Sequence, residues 1–401
     1  MTLSEELTWR GFVNQTTFSD LKALDGDPLT FYWGVDPSAD SMQIGNLAAA
    51  MMVKCFVKHG HKAVLLLGGA TGLIGDPDGK SDERELKSLE EINHNKSVIA
   101  AQYRQIFGEH NFTLVDNYDW FKDLKYLDFL RDIGKHVPMR QMLSRDFVQS
   151  RLSQEGSGIS YAEFSYVLIQ AYDFLHLYKN YGVTLQVSGS DQWGNSIAGV
   201  ELIRRLLGKE AHVYCAPLII NKATGKKFGK TEAGAIWLDS KKTSPEDFYQ
   251  FWINIDDNSA VEYLRVYTEL PTESVDKITE EFKRDPANRL AQKTLAFEVT
   301  KLVHGQAAAE NAQLHAAKIQ SGQTQSVNIK TTVPVDIVDV LLSSGLVSSK
   351  SEARQLLSAG GIYLNGRQTA QTQLTAADFV DGHLSLRRGK SLRNTVSVGL
   401  A

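Results

Sequence analysis

From Thr30 to Val35 and again from Lys62 to Leu67 the chain runs through short, mostly apolar stretches of strand length, and between them Leu47–His59 repeats its apolar positions at helical spacing. Strand, helix and strand joined at Gly34 and Gly68-Gly69 predict a parallel sheet with crossover helices, a class that binds ligands beyond the carboxyl ends of its strands. Residues 83–180 are mostly helical in pattern and read as an insertion that splits the sheet. Thr184–Ser188 then returns to strand, Ser196–Leu207 to helix and Val213–Ile220 to strand. From Ser244-Pro245-Glu246-Asp247, a helix start with proline in the first turn, the pattern stays helical and charged to Ile319. Ser321–Thr332, rich in Gln, Ser and Thr, reads as a linker. Beyond it come helices at Ile337–Ser343 and Lys350–Ala359, the turn Gly360-Gly361, and a hairpin in which Ile362-Tyr363-Leu364 leads into Asn365-Gly366. The expected organisation is a sheet domain at 1–243 with an insertion at about 83–180, a helical domain at 244–320, a linker at 321–333 and a small α+β module at 334–401.

A chain of 401 residues is too long for one ordinary core, in keeping with this division. No apolar run is long enough to span a bilayer, and Glu5 and Glu6 stand where a secretory signal needs basic residues, so the expected compartment is the cytoplasm. Two cysteines, Cys55 and Cys215, both in apolar surroundings, support neither a disulfide framework nor a cysteine-rich zinc site. The histidines show no ligand spacing, so no structural metal is expected. A net charge of −4 argues against indiscriminate coating of nucleic acid and leaves room only for local basic patches.

Against that background four polar segments carry chemistry. Tyr166, Gln170 and Asp173 fall at i, i+4 and i+7, so one helix face can present a phenol, an amide and a carboxylate to a small polar ligand. The same stretch also reads as an ordinary amphipathic helix packed through Phe164, Leu168 and Leu175. Gly34 to Asn46 joins a strand to a helix N-terminus, which suits phosphate, although it lacks the Gly-Lys-Ser/Thr ending of a Walker loop. Lys226-Lys227-Phe228-Gly229-Lys230-Thr231 can neutralise a polyphosphate, and Gly72 to Lys80 with Arg84 adds a carboxylate, Asp76, and two further cations.

Taken together, Gly-Gly-Ala-Thr-Gly-Leu-Ile-Gly-Asp-Pro, Gly-Ser-Asp-Gln-Trp-Gly-Asn and Lys-Phe-Gly-Lys-Thr, in this order, resemble bacterial-type tyrosyl-tRNA synthetases, which are class I aminoacyl-tRNA synthetases. The resemblance runs nearly end to end. It implies an α/β fold: a Rossmann-like parallel-sheet catalytic domain with a helical insertion, then an α-helical domain and a small C-terminal α+β RNA-binding module. It implies formation of tyrosyl-adenylate from L-tyrosine and ATP, with Mg²⁺ arriving on the ATP, and transfer of tyrosine to tRNA(Tyr) by a homodimer whose contact lies around residues 115–165. On this likeness Tyr32 and Asp173 would bind the substrate phenol, Asp76, Tyr166 and Gln170 its ammonium group, and Gln192 would lie near its carboxylate. Gly34, Asp36, Ser38, Gly45, Asn46, Gly189, Asp191, Leu218, Ile219 and Lys230 would hold ATP. Lys227 and Lys230, with Gln43, Asn46, Lys80 and Arg84, would serve the phosphates in the activation step. In the C-terminal module, Lys350, Arg354 and Arg367 would meet tRNA phosphates, with Arg387, Arg388, Lys390 and Arg393 beyond them.

Two departures stand out. The family's His-Ile-Gly-His is here Gln43-Ile44-Gly45-Asn46, which replaces two imidazoles by amides that donate hydrogen bonds without changing protonation state. Trp33 occupies a position where the family carries a small residue near the ribose. The rival reading is a catalytically weakened paralogue that acts as an RNA-binding protein, and tyrosine-dependent ATP–pyrophosphate exchange separates the two.

Overall fold

The apolar runs of the first half assemble into a six-stranded sheet, which is seen in a computed structural model that describes residues 1–77, 86–108, 110–143, 146–153, 158–220, 228, 230–231, 234–320, 325–331, 333–380, 382–389 and 395–400. Its strands are β1 (Gln15–Thr16), β2 (Thr30–Val35), β3 (Lys62–Leu67), β4 (Phe112–Asp116), β5 (Leu185–Gly189) and β6 (His212–Ala216), in the order β1-β6-β5-β2-β3-β4. All are parallel except β1, which pairs antiparallel with β6. From β2 the chain crosses to β3 and β4 on one side and later returns to β5 and β6 on the other. The carboxyl ends of β2 and β5 therefore flank the switch point at which such sheets leave an open crevice.

Among the described residues ten helices precede or interrupt these strands: α1 (Leu3–Arg10), α2 (Ile44–Lys58), α3 (Thr71–Ile74), α4 (Leu89–Phe107), the short α5 (Tyr118–Phe121), α6 (Tyr126–Asp132), α7 (Met139–Leu143) and α8 (Asp146–Leu152), then α9 (Tyr161–Tyr181) and α10 (Trp193–Leu207). Helix α9 starts at a capping box between Ser160 and Glu163 and stops at Gly182 in the left-handed conformation, so its phase is held at both ends. Leu168 and Leu175 enter the core with Phe174, and Phe164 packs against it, while Tyr166 and Asp173 are buried on the same helix. The segment packs a core and also turns Tyr166, Gln170 and Asp173 to one cavity.

Two differences from expectation concern strands. Phe112–Asp116, within the stretch read as a helical insertion, is the edge strand β4; only Val115 is buried, so its sequence carries little alternation to recognise. The run read as Val213–Ile220 ends as a strand at Ala216, because Pro217 has no N–H to give the ladder. Past it, the short strands β7 (Lys230–Thr231) and β8 (Gly234–Ala235) pair antiparallel.

Helices α11 (Pro245–Ile253), α12 (Asp257–Tyr267), α13 (Thr272–Arg284) and α14 (Leu290–His304) belong with the sheet to one unit, Met1–Ala309. Arg10 of α1 ties them in by donating to the carbonyl oxygens of Arg265 at 2.6 Å and Thr268 at 2.7 Å. Helix α15 (Gln306–Gln320) leads into the second unit, Glu310–Ala401.

In that unit α16 (Ile337–Ser343) and α17 (Lys350–Ser358) pack on a core of Ile337, Leu341, Ile362, Leu374, Leu384 and Val398. Its strands are β9 (Gln325–Thr331), β10 (Val335–Asp336), β11 (Ile362–Leu364), β12 (Arg367–Gln368), β13 (Gln373–Leu374), β14 (His383–Arg388) and β15 (Thr395–Leu400). Five of them form the order β12-β11-β14-β15-β9, and β10 pairs with β13. The expected hairpin turns through Asn365 and Gly366, both at positive φ. The expected linker does not remain one: Gln325–Thr331 is β9, parallel to β15. An open strand edge recruits backbone, and backbone pairing needs no apolar side chain, so the polar composition gave no warning.

Candidate active site

The crevice between β2 and β5 opens into a cavity of about 480 Å³. In its most buried part stands Asp173 of α9, 1% exposed, which accepts hydrogen bonds from Asn117 Nδ2 at 3.0 Å and Trp120 Nε1 at 2.9 Å. Tyr32 of β2 lines the same cavity, also 1% exposed, and its hydroxyl finds no partner among the described residues. The carboxamide oxygen of Gln170 is likewise buried and unpartnered. A buried polar atom without a partner costs about 1–3 kcal/mol, so these orphans mark positions that a bound ligand would satisfy.

Burial pushes the Asp173 carboxyl up to about 8, against the lowering effect of Asn117 and Trp120 and with the raising effect of Asp36 and Asp116. Burial also raises the Tyr32 phenol well above its usual range, with Asp173 adding to the rise. The folded protein thus holds the Asp173 proton more tightly than the unfolded chain, where the ordinary value is 3.8. The associated stability is complete below that value and is lost as pH rises through about 8. We expect the Tm of the ligand-free protein to fall relative to that of Asp173→Asn as pH is raised across this window. Thermal unfolding of the two at several pH values checks it, and parallel curves would mean that Asp173 is ionised in both states.

A polar network shapes the rest of this part. Asp36 accepts from Thr71 Oγ1 at 2.6 Å and from Tyr166 OH at 2.7 Å. Asn117, wholly buried just beyond β4, accepts from the Ala70 N–H at 2.6 Å and donates to Thr71 Oγ1 at 3.0 Å as well as to Asp173. Glycine is required at position 68, where a Cβ would overlap the Asp36 carboxylate and the Thr71 hydroxyl. Asp76 accepts from Gln192 Nε2 at 2.7 Å, and Gln192 in turn accepts from Asn195 at 3.0 Å. Burial, followed by the charges of Asp36 and Asp76, raises the Tyr166 phenol well above its usual range. Asp36 and Asp76 thus line the same cavity as Asp173, and their negative charges favour an ammonium group there.

Elsewhere the same cavity is bounded by the start of α2. Asn46 Oδ1 accepts from the Gln43 backbone N–H at 3.0 Å, which leaves its Nδ2 as the donor of that amide. Gly34, Ser38, Gln43 and Gly45 also line it, as do Gly189, Asp191, Leu218 and Ile219. Trp33 lines it too, 4% exposed, with its ring 5.4 Å from that of Tyr103. Lys80, Arg84 and Lys227 lie outside the described residues, while Lys230 opens β7.

Sequence reasoning missed Asn117, Trp120 and Thr71. Trp120 is held by a stack on His176, with ring centroids 4.3 Å apart and planes 14° off parallel. Thr71 lies inside the Gly-Gly-Ala-Thr-Gly segment without a role of its own being read there, and Asn117 and Trp120 lie in no motif; Thr71 becomes a partner of Asp36, and Asn117 and Trp120 of Asp173, only when β3, β4 and α9 come together.

Residues 24–320 match the family described as tRNA synthetases class I (W and Y), and residues 318–393 match the tyrosine–tRNA ligase SYY-like C-terminal domain. The tyrosine–tRNA ligase of Pediococcus pentosaceus is 43% identical over 97% of this chain and 98% of its own. The chain belongs to the tyrosine–tRNA ligase family. Its relative in Geobacillus kaustophilus is also 43% identical, over the same shares of the two chains. Among solved structures, a C-terminally truncated mitochondrial tyrosyl-tRNA synthetase from Aspergillus nidulans superposes with a TM-score of 0.71 at 31% identity, covering 79% of this chain and 94% of that one. This member of the family has Gln43 and Asn46 at the start of α2 and Trp33 in its cavity wall.

Proposed function

We infer that the chain joins L-tyrosine to ATP, releasing pyrophosphate, and then passes the tyrosyl group to the 3′ end of tRNA(Tyr). The observation that carries this reading is the pairing, in one cavity, of the orphan Tyr32 hydroxyl and the buried, doubly bonded Asp173 carboxylate with the start of α2. A phenol can donate to Asp173 and accept from Tyr32, whereas phenylalanine leaves both unsatisfied. Asp76, Tyr166 and Gln170 would take the ammonium group, and Gln192 would orient the carboxylate for attack on the α-phosphate. That attack forms the mixed anhydride and expels pyrophosphate.

Gln43 and Asn46 would donate to phosphate at the α2 N-terminus. Gly34, Asp36, Ser38, Gly45, Gly189 and Asp191 would border the ribose and phosphates, with Leu218 and Ile219 against the adenine. Lys80, Arg84, Lys227 and Lys230 would balance the charge on the leaving group, together with the Mg²⁺ that ATP carries. No covalent enzyme intermediate is needed, so positioning and electrostatics supply the rate. Among the described residues no cluster of His, Cys, Asp and Glu could hold a metal ion.

Tyrosine-dependent ATP–pyrophosphate exchange, followed by charging of tRNA(Tyr), tests this function. Exchange with tyrosine and none with phenylalanine is expected. Its absence in a folded protein would favour the weakened RNA-binding paralogue suggested by Gln43 and Asn46.

The C-terminal unit would serve tRNA. Lys350, Arg354 and Arg367 are exposed there, Lys350 beside Asp339 at 2.7 Å, while Arg387 lies over the Tyr363 ring at 4.6 Å and Arg388 pairs with Glu352 at 2.8 Å. Lys390 and Arg393 fall outside the described residues. A chain ending at Gln320, which removes all of β9 with the sheet it joins, should keep pyrophosphate exchange and lose the salt-sensitive part of tRNA affinity. Equal aminoacylation by truncated and full-length proteins at sub-saturating tRNA would overturn this.

Tyr126, Leu127, Met139 and Tyr161 are exposed within the stretch expected to form a dimer contact, with Leu127 at 75% and the Tyr126 and Tyr161 hydroxyls 3.1 Å apart. A second copy of the chain suits this apolar surface. Sedimentation should give a dimer, and Leu127→Glu should shift it to monomer. A cytoplasmic site of action accords with the two free, buried thiols of Cys55 and Cys215, and among the described residues no helix is long and apolar enough to cross a membrane.

A further inference from the structure

Within Lys226-Lys227-Phe228-Gly229-Lys230-Thr231 one apolar side chain stands among lysines, and the fold buries it: Phe228 is 6% exposed. Its ring sits among four others, Phe251 and Trp252 of α11 and Tyr263 and Tyr267 of α12, with centroids 5.4, 5.7, 4.5 and 5.9 Å away. These are tilted contacts at the separations aromatic pairs favour. Its backbone N–H donates to the carbonyl oxygen of Ile219 at 2.9 Å, and a Cβ built on Gly45 would come within 3.9 Å of its own carbonyl oxygen. One residue is therefore tied to the helices after β8 and to the segment after β6, and lies beside the first turn of α2, while it also lines the cavity. Lys230 opens β7 only two residues on, and two residues of chain span at most about 7 Å.

We propose that Phe228 is a positioning residue for activation: its ring, seated in the α11–α12 aromatic cage, fixes the backbone two residues before Lys230 and thereby keeps Lys230 within reach of the phosphates. This rests on the reading of Lys230 as a phosphate-binding lysine. A lysine ammonium is a compact charge on a flexible four-carbon stem, so fixing the backbone near its base narrows where that charge can sit. Phe228 itself needs no contact with substrate for this role.

The test compares Phe228→Ala, Phe228→Leu, Lys230→Ala and the Phe228→Ala/Lys230→Ala double variant with the wild type. Adenylate formation is followed in the pre-steady state at saturating ATP, and tyrosine binding and Tm are measured for each. Phe228→Ala should slow adenylate formation by about a hundredfold, as displacement of a reacting group by about 1 Å can, and leave tyrosine affinity unchanged. Phe228→Leu, which refills most of the cage, should recover part of the rate, and it carries the comparison should Phe228→Ala unfold at the assay temperature. Because Phe228 acts through Lys230, the double variant should be no slower than the slower single one. A wild-type rate for folded Phe228→Ala beside a slow Lys230→Ala overturns the inference, as does a double variant whose loss is the product of the two single losses. A wild-type rate for Lys230→Ala overturns the lysine reading, and this inference falls with it.

Discussion

Replacing Asp173 by alanine should collapse the preference for tyrosine over phenylalanine, because it removes the buried carboxyl group that a substrate phenol would meet in this part of the cavity. The carboxylate is held from behind by Asn117 and Trp120, so its position is set before any ligand arrives. Where the phenol is bound to the ionised carboxyl, loss of that partner costs about 1.5–3 kcal/mol, or roughly ten- to a hundredfold in discrimination. The alanine variant also strands the Asn117 and Trp120 donors in a buried space. Tyr32→Phe is the milder change: it deletes a neutral partner worth about 0.5–1.5 kcal/mol and removes a hydroxyl that has no partner among the described residues. The ordering Asp173→Ala far worse than Tyr32→Phe, in kcat/KM for tyrosine against phenylalanine, is the expected result. Wild-type selectivity in both variants would place the phenol elsewhere.

Lys230→Ala should act on rate and not on tyrosine binding. The charge it would neutralise grows as pyrophosphate separates from the α-phosphorus, so the interaction is stronger in the transition state than in the ground state. Removing one such preorganised contact from a catalytic site costs about 10²–10³ in rate, and a comparable loss in adenylate formation is expected here. Tyrosine affinity should stay near that of the wild type, since the residues proposed to bind the phenol and the ammonium group lie on β2, α9 and the loop at Asp76. An unchanged rate at saturating ATP would take this lysine out of the mechanism.

The effect of Gln43 and Asn46 belongs to the same step. The structure uses the Asn46 carbonyl as a helix cap through the Gln43 N–H, so one amide serves both fold and site. No histidine lines the cavity among the described residues, so the groups there that would meet phosphate at the start of α2 are neutral and do not titrate near neutral pH.

What the chain determined by itself was local. Tyr166, Gln170 and Asp173 share a face because helical spacing puts them there whatever packs around them, and Ser160, Glu163 and Gly182 mark where that helix begins and ends. The strand–helix–strand alternation with its glycine joints likewise specified a parallel sheet and, through it, the edge at which a ligand would sit. Pairings between distant segments had no such local trace. Asn117 follows a short edge strand with one buried side chain, and it becomes the support of Asp173 only because β4 lies beside β3 and brings it against Thr71 and α9. Phe228 reads as an interruption in a basic run until α11 and α12 close four rings around it. Gln325–Thr331 reads as linker until the edge of β15 supplies a partner. Helical and strand periods are written in neighbouring residues, whereas the partner of a buried donor or of an open strand edge depends on which segments the folded chain brings within about 3 Å of each other, and only the tertiary structure decides that.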